Sequence, residues 1–375
     1  MRMRTTVVGL LAMSLLWIGG CSKQDSEGIR IGAILPLTGD AAEYGINDKR
    51  GIDLAVEQVN AAGGIKGRKL EVIYEDCQMD AKLAVAAINK LGMQNIAAVI
   101  DDAVSTIALA MVPVANTNKQ VIISTGASNP SLSGISPYFF RIWNSDAEEG
   151  VFAARAAFRD FGVKNAAILY INNDYGLGLY KVFSGEFSKV GGNIVVIESF
   201  EKDAKEFRGQ ITKIKKKALD VVYLVGYAAQ TGIAAKQLRE QGVTARIIGT
   251  VAMEDPQFVK LAGAASEAVV YPFPEPPSGE VVESFKQAYK KKYGKEPGLL
   301  SDCGYDAANL LILALQQNAL TGDEIRSKLS IVKDYKGASG VISFDEKGDV
   351  HKPMIVKVIK DGKFVSFRGD QRANR

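Results

Sequence analysis

A single histidine, His351, serves the whole 375-residue chain. Multi-histidine metal sites are therefore excluded, and a histidine-based triad has only one candidate base, lying in a charged loop. Cysteine is nearly as scarce, with Cys21, Cys77 and Cys303 alone, too few for a disulfide framework. Charge is close to balanced, 46 basic against 42 acidic residues, so no strong attraction to nucleic acid is implied. The lysine runs at 215–217 and 290–292 fall in helical patterns and read as solvated faces. Catalytic and nucleotide signatures are also missing. Residues 126–130 (GASNP) break the nucleophile-elbow pattern at its last position. Residues 175–178 (YGLG) open like a dinucleotide loop, but Lys181 stands where the third glycine belongs, and there is no phosphate-loop motif. The expectation is a chain without enzymatic activity, metal or cofactor.

What is present begins at the amino terminus. Arg2 and Arg4 precede sixteen uncharged residues, 5–20, and then Cys21. The apolar core of that stretch, 7–18, is short for a bilayer span and fits an export signal. Ile18-Gly19-Gly20-Cys21 resembles the processing site of bacterial lipoproteins. The resemblance implies removal of residues 1–20, lipidation of Cys21, anchoring to a membrane of the cell envelope, and a polar tether at 22–28. Losing Arg2 and Arg4 takes the charge from +4 to +2. Whether Cys77 and Cys303 pair is left open, since an exported chain permits a bridge but sequence does not give their separation.

Residues 29–68 read as a buried strand, a loop and an amphipathic helix. Ile29, Ile31, Ala33, Ile34 and Leu35 form a nearly continuous apolar run, as in a parallel strand covered on both faces, and Pro36 and Gly39 end it. Ile52, Ala55, Val56 and Val59 then follow helical spacing up to Gly63 and Gly64. Further strand runs at 70–74, 97–100 and 121–123 alternate with helical segments, and the alternation restarts at 166–170, 194–197, 221–225 and 246–248. The fold class is therefore α/β, with two doubly wound parallel-sheet lobes. Residues 138–146 and the proline-rich 271–277 mark the breaks between them. The assignment is 29–145 plus 273–336 to lobe 1, and 146–272 plus 337–370 to lobe 2. Asp361-Gly362 supplies a hairpin turn near the end.

Open α/β sheets bind small molecules beyond the carboxyl ends of their strands, which makes Tyr44 a candidate contact. Ser105 and Thr106 open a helix after one strand, and residues 124–130 (STGASNP) follow the next. Free backbone N–H groups and hydroxyls there suit a carboxylate, although each serine also serves as an ordinary helix cap. Tyr175 and Tyr227, each following a strand of the second lobe, offer aromatic walls with a polar end.

The ordered segments ILPLTGDAAEYG, VNAAGGIKGRKLEVIYED, ISTGASNPSL, FRIWNSDAEEG, NNDYGLG, VGYAAQTG, CGYDAANLL and FDEKGD resemble the leucine/isoleucine/valine-binding protein family, the type I periplasmic binding proteins of ABC importers. The resemblance covers nearly all of the chain after the signal. It implies two lobes joined by three hinge crossovers and closing on a ligand, and an ABC permease as partner. It sets Ser105, Ser128 and the backbone around Gly126 and Ala127 at a ligand carboxylate, and Tyr44, Tyr175 and Tyr227 on the pocket walls. Val251 falls where the amino-acid binders of the family carry an acid for the ligand ammonium. Asp102, Asp146 and Glu254 are the candidate substitutes. Trp143 is expected to be hinge packing. An organic acid without an amine, and a regulatory or sensor lipoprotein of the envelope, are the alternative readings.

Overall fold

The computed structural model describes residues 28–39, 41–101 and 104–367. Residues 1–27, with the signal and Cys21, lie outside this set, as does Asp102.

The first lobe is built on five parallel strands, β1 (Ile29–Leu35), β2 (Leu70–Asp76), β3 (Ala98–Asp101), β4 (Val121–Ser124) and β5 (Phe139–Arg141). Their order is β2-β1-β3-β4-β5. The helices between them are α1 (Ala42–Ala61), α2 (Ala81–Met93) and α3 (Ser105–Asn118). The second lobe opens with α4 (Asp146–Arg155) and continues through β6 (Asn165–Ile171), α5 (Asp174–Lys189), β7 (Asn193–Phe200), α6 (Arg208–Lys215), β8 (Val221–Val225), α7 (Ala228–Glu240), β9 (Arg246–Ile248), α8 (Pro256–Ala262) and β10 (Val270–Pro274). The chain then returns to the first lobe for α9 (Glu280–Tyr293), α10 (Ser301–Gln316), α11 (Gly322–Leu329) and the small antiparallel pair β11 (Tyr335–Gly337) and β12 (Gly340–Ile342). It ends in the second sheet with β13 (Met354–Lys360) and β14 (Lys363–Ser366), giving the order β14-β13-β10-β9-β8-β6-β7. Asp361 and Gly362 both take positive φ in the β13–β14 turn, which suits the right-handed twist of the hairpin.

Each central strand is apolar on both faces because helices cover both sides. Ile31, Ala33, Ile100 and Ile123 face one layer, while Ile34, Val99 and Ile122 face the other. On the first side α1 and α10 touch backbone to backbone: a Cβ on Gly51 would lie 2.0 Å from the Ser301 carbonyl oxygen, which requires glycine there.

Among the described residues three crossovers join the lobes, between β5 and α4, between β10 and α9, and between β12 and β13. The first two lie close to the boundaries expected from sequence. The third is displaced. Residues 337–350 stay with the first lobe: the Ala338 and Ser339 amides donate to the buried Asp306 carboxylate of α10, and Asp349 pairs with Arg141 of β5. Ile342, Phe344 and Val350 complete the first lobe's core, so the passage into the second lobe occurs just before β13. Cys77 and Cys303 are separate buried thiols, which settles the open question of their pairing.

Candidate functional site

The carboxyl ends of the two sheets face each other across a cleft. The cavity within it has about 580 Å³ of empty space including its mouths. Its lining is mostly apolar. Tyr44, Val104, Trp143, Leu299 and Leu300 line it from the first lobe and the adjoining crossover, and Tyr175, Tyr227, Val251 and Ala252 from the second. Gly126 and Ser128 supply its polar edge.

The loop carrying those two residues is pinned from below. Thr125 donates through Oγ1 to Asp48 Oδ2 at 2.6 Å, and Ser124 Oγ donates to Asp101 at 3.2 Å. Burial raises the Asp101 carboxyl to about 7. The Ser105 hydroxyl accepts from the backbone N–H groups of Ser128, at 3.3 Å, and Asn129, at 3.1 Å. Arg141 Nη1 donates to the Asn129 carbonyl at 3.0 Å. With the loop held this way, Gly126 and Ser128 alone are turned to the cavity, at the start of α3 and beside the first turn of α4.

The opposite wall is aromatic. Tyr175 and Tyr227 stack with centroids 5.5 Å apart and planes inclined by 13°, and the Tyr175 hydroxyl donates to Thr250 Oγ1 at 3.0 Å. Tyr44 reaches across the cleft to the second lobe, where burial and the Asp255 carboxylate hold its phenol well above the ordinary value. Asn129 Nδ2 donates to the Asp174 carbonyl at 2.5 Å, and the Asp146 amide to the Ser128 carbonyl at 2.7 Å. These contacts run from one lobe to the other, so the conformation is a closed one.

Of the residues singled out in the sequence, Tyr44, Gly126, Ser128, Tyr175, Tyr227 and Val251 meet at this one cavity. Others do not line it. Ala127 is fully buried in the core beneath the loop, because its neighbours on either side take the outward positions. Ser105 is spent on the two loop amides and supports the site from behind. Glu254 is committed elsewhere: Lys357 donates to its Oε1 and Tyr271 to its Oε2, each at 2.5 Å. It is therefore no ammonium partner. Trp143, expected as hinge packing, meets Phe273 of β10 edge to face at 5.9 Å and also lines the cavity.

Asp146 is fully buried next to the Ser128 hydroxyl, and burial raises its carboxyl to about 7. Glu149, one helical turn further along α4, was not singled out by sequence reasoning. It is 2% exposed, and its Oε1 accepts from the Val251 amide at 3.1 Å. The two acids thus lie beneath Ser128 and Val251, where the cavity floor joins the lobes. Among the described residues no group of three or more histidine, cysteine or acidic side chains is arranged for a metal. No described helix is long and apolar enough to cross a membrane.

A family model described as periplasmic binding protein matches residues 28–363. The chain belongs to the periplasmic binding protein family. It is similar to Leu/Ile/Val-binding protein homolog 1 of Brucella suis biovar 1, with 27% identity over 357 residues, 93% of this chain and 94% of that one. Among solved structures it is similar to a leucine-binding protein of Thermotoga maritima, with a TM-score of 0.85, 26% identity and coverage of 91% and 98%. It is also similar to the branched-chain amino acid transporter substrate-binding protein of Streptococcus pneumoniae in complex with isoleucine, at TM-score 0.83, 27% identity and coverage of 90% and 98%. These matches bear out the resemblance and the type I fold read from the sequence. The family consists of exported solute binders rather than enzymes, and this periplasmic binding protein has the two lobes and the cleft such binders use.

Proposed function

We propose that this periplasmic binding protein captures a branched-chain or other hydrophobic amino acid and delivers it to an ABC permease, held at the membrane through a lipidated Cys21. The observation that carries the reading is the division of the cleft: an apolar, aromatic chamber with one polar corner, at Gly126 and Ser128, over a buried carboxylate, Asp146. The ligand carboxylate would accept from the Ser128 hydroxyl and the loop backbone, its ammonium would face Asp146, and its side chain would lie among Tyr44, Trp143 and Leu300. The relatives named for leucine, isoleucine and valine support the ligand class.

Capture is a population shift. The ligand meets one lobe first, and closure adds contacts from the other, so binding favours the closed form in proportion to those added contacts. A permease that recognises only the closed form then receives only loaded protein.

Ser128→Ala is expected to weaken leucine binding about tenfold, the equivalent of one hydrogen bond to a charged group. Ser105→Ala is expected to weaken it less, since that hydroxyl positions the loop without facing the cavity. Calorimetry on both variants checks this, and an unchanged dissociation constant for Ser128→Ala would refute the carboxylate assignment.

Val251 favours a second reading, in which the same cleft takes an aliphatic or aromatic acid without an amine. Its isopropyl group lines the cavity at the position where a paired acid was expected. The two readings differ in what they require of Asp146, which an ammonium satisfies and an uncharged substituent does not.

A further inference from the structure

Asp146 and Glu149 form an unusual pair. They are three residues apart on α4, hence on one helix face, and their exposures are 0% and 2%. The Asp146 carboxylate is enclosed, with the Ser128 hydroxyl as its hydrogen-bonding neighbour, and Glu149 has the Val251 amide. The cation whose field reaches Asp146 is Arg141, and its guanidinium is spent on Asp349. The other groups acting on the pair are the Ser128 hydroxyl and the neutral phenols of Tyr175 and Tyr223. Two carboxylates in such a space cannot both ionise cheaply, and they titrate as a unit. A pair of buried carboxylates beneath the polar corner of a ligand cavity, with the nearest guanidinium committed to Asp349, is suited to meet positive charge.

We propose that in the empty cleft Asp146 and Glu149 share one proton, and that the cationic end of the ligand displaces it, making amino-acid capture a proton-releasing step. Glu149 then takes over the role that Val251 leaves unfilled, setting specificity for an amine. The inference rests on the amino-acid reading above. Burial pushes both carboxyls up, Asp146 to about 7, and the Asp146 charge adds to the rise at Glu149. The sign of the linkage follows. The empty form holds the proton and the loaded form does not, so affinity rises with pH through about pH 7 and levels off only where the empty pair loses its last proton.

Two measurements on the full chain test this. In the first, infrared difference spectra of the empty protein at neutral pH are compared with those of Glu149→Gln. Asp101 contributes a buried-carboxyl band to both proteins; more protonated-carboxyl absorption is expected in the wild type than in the variant, and identical spectra overturn the shared proton whether or not leucine binds. In the second, leucine binding at pH 7 is followed by calorimetry in buffers of different ionisation enthalpy. The wild type is expected to release between half a proton and one proton, with affinity climbing up to about tenfold per pH unit below neutrality. Glu149→Gln is expected to bind leucine more weakly and release almost none. Asp146→Asn, which keeps the Glu149 bond to Val251, is expected to lose the release as well. Leucine binding with buffer-independent heat overturns the inference while leaving the amino-acid reading intact. A carboxyl band lost in Glu149→Gln, without any leucine binding, supports the proton pair and overturns the ligand instead.

Discussion

Arg141→Met is expected to cost about 3–5 kcal/mol of stability, as other broken buried ion pairs do. Arg141 is completely buried and bidentate to Asp349, Nε to Oδ1 at 2.8 Å and Nη2 to Oδ2 at 3.0 Å. Nη2 also donates to Ser133 Oγ at 2.6 Å, and Nη1 to the Asn129 carbonyl. Methionine fills much of the volume but strands the Asp349 carboxylate and frees the loop that carries Ser128. The loss should therefore appear twice, as a lower denaturation midpoint and as weaker ligand binding. Adding Asp349→Leu removes the stranded charge. The double variant is expected to regain most of the stability, since apolar groups replace a buried pair at little net cost, while the affinity stays low because the loop still lacks its donor. Denaturation curves and calorimetry on the two variants separate the effects.

Gly178→Leu is expected to weaken binding by about 10–100-fold without destabilising the empty protein. Gly178 lies on α5 of the second lobe, and in the closed form a Cβ there would sit 2.8 Å from Asn129 Nδ2 and 3.1 Å from Pro130 Cδ, both of the first lobe. A larger side chain meets these atoms only when the cleft is shut. Overpacking of this kind costs ~1–3 kcal/mol, which at ~1.4 kcal/mol per decade is about 5–140-fold and brackets the stated range. The open form gains instead, because leucine exceeds glycine in helix propensity by ~0.8 kcal/mol or a little less. Melting temperature and affinity should thus move in opposite directions.

The parts of this account that sequence made legible are those set by local periodicity. The buried run at 29–35 and the strands that follow could be read because parallel strands covered on both faces are continuously apolar. Loops at their carboxyl ends then pointed to Tyr44, Ser128, Tyr175 and Tyr227. What stayed hidden depends on contacts between distant segments. Whether Ala127 or Ser128 faces the cavity is decided by pins from Asp48, Ser105 and Arg141, none of them near the loop in sequence. Glu149 looked like an ordinary acid in the first turn of a helix, and only its bond to Val251, 102 residues away, brings it to the site. Leu299 and Leu300 arrive from the first lobe's returning segment, with Leu300 in the left-handed region at φ 71° at the start of α10. The third crossover was misassigned because β11 and β12 are strands of three residues each, too short for their pattern to reveal which sheet they accompany.

The central claim is that the cleft selects a hydrophobic amino acid by both its ends. Calorimetry of the wild-type protein with leucine and with its deaminated keto acid, at one pH and salt concentration, tests it most directly. Saturable leucine binding at one site per chain, at least tenfold tighter than the keto acid, is the predicted result. Equal affinities for the two would contradict it.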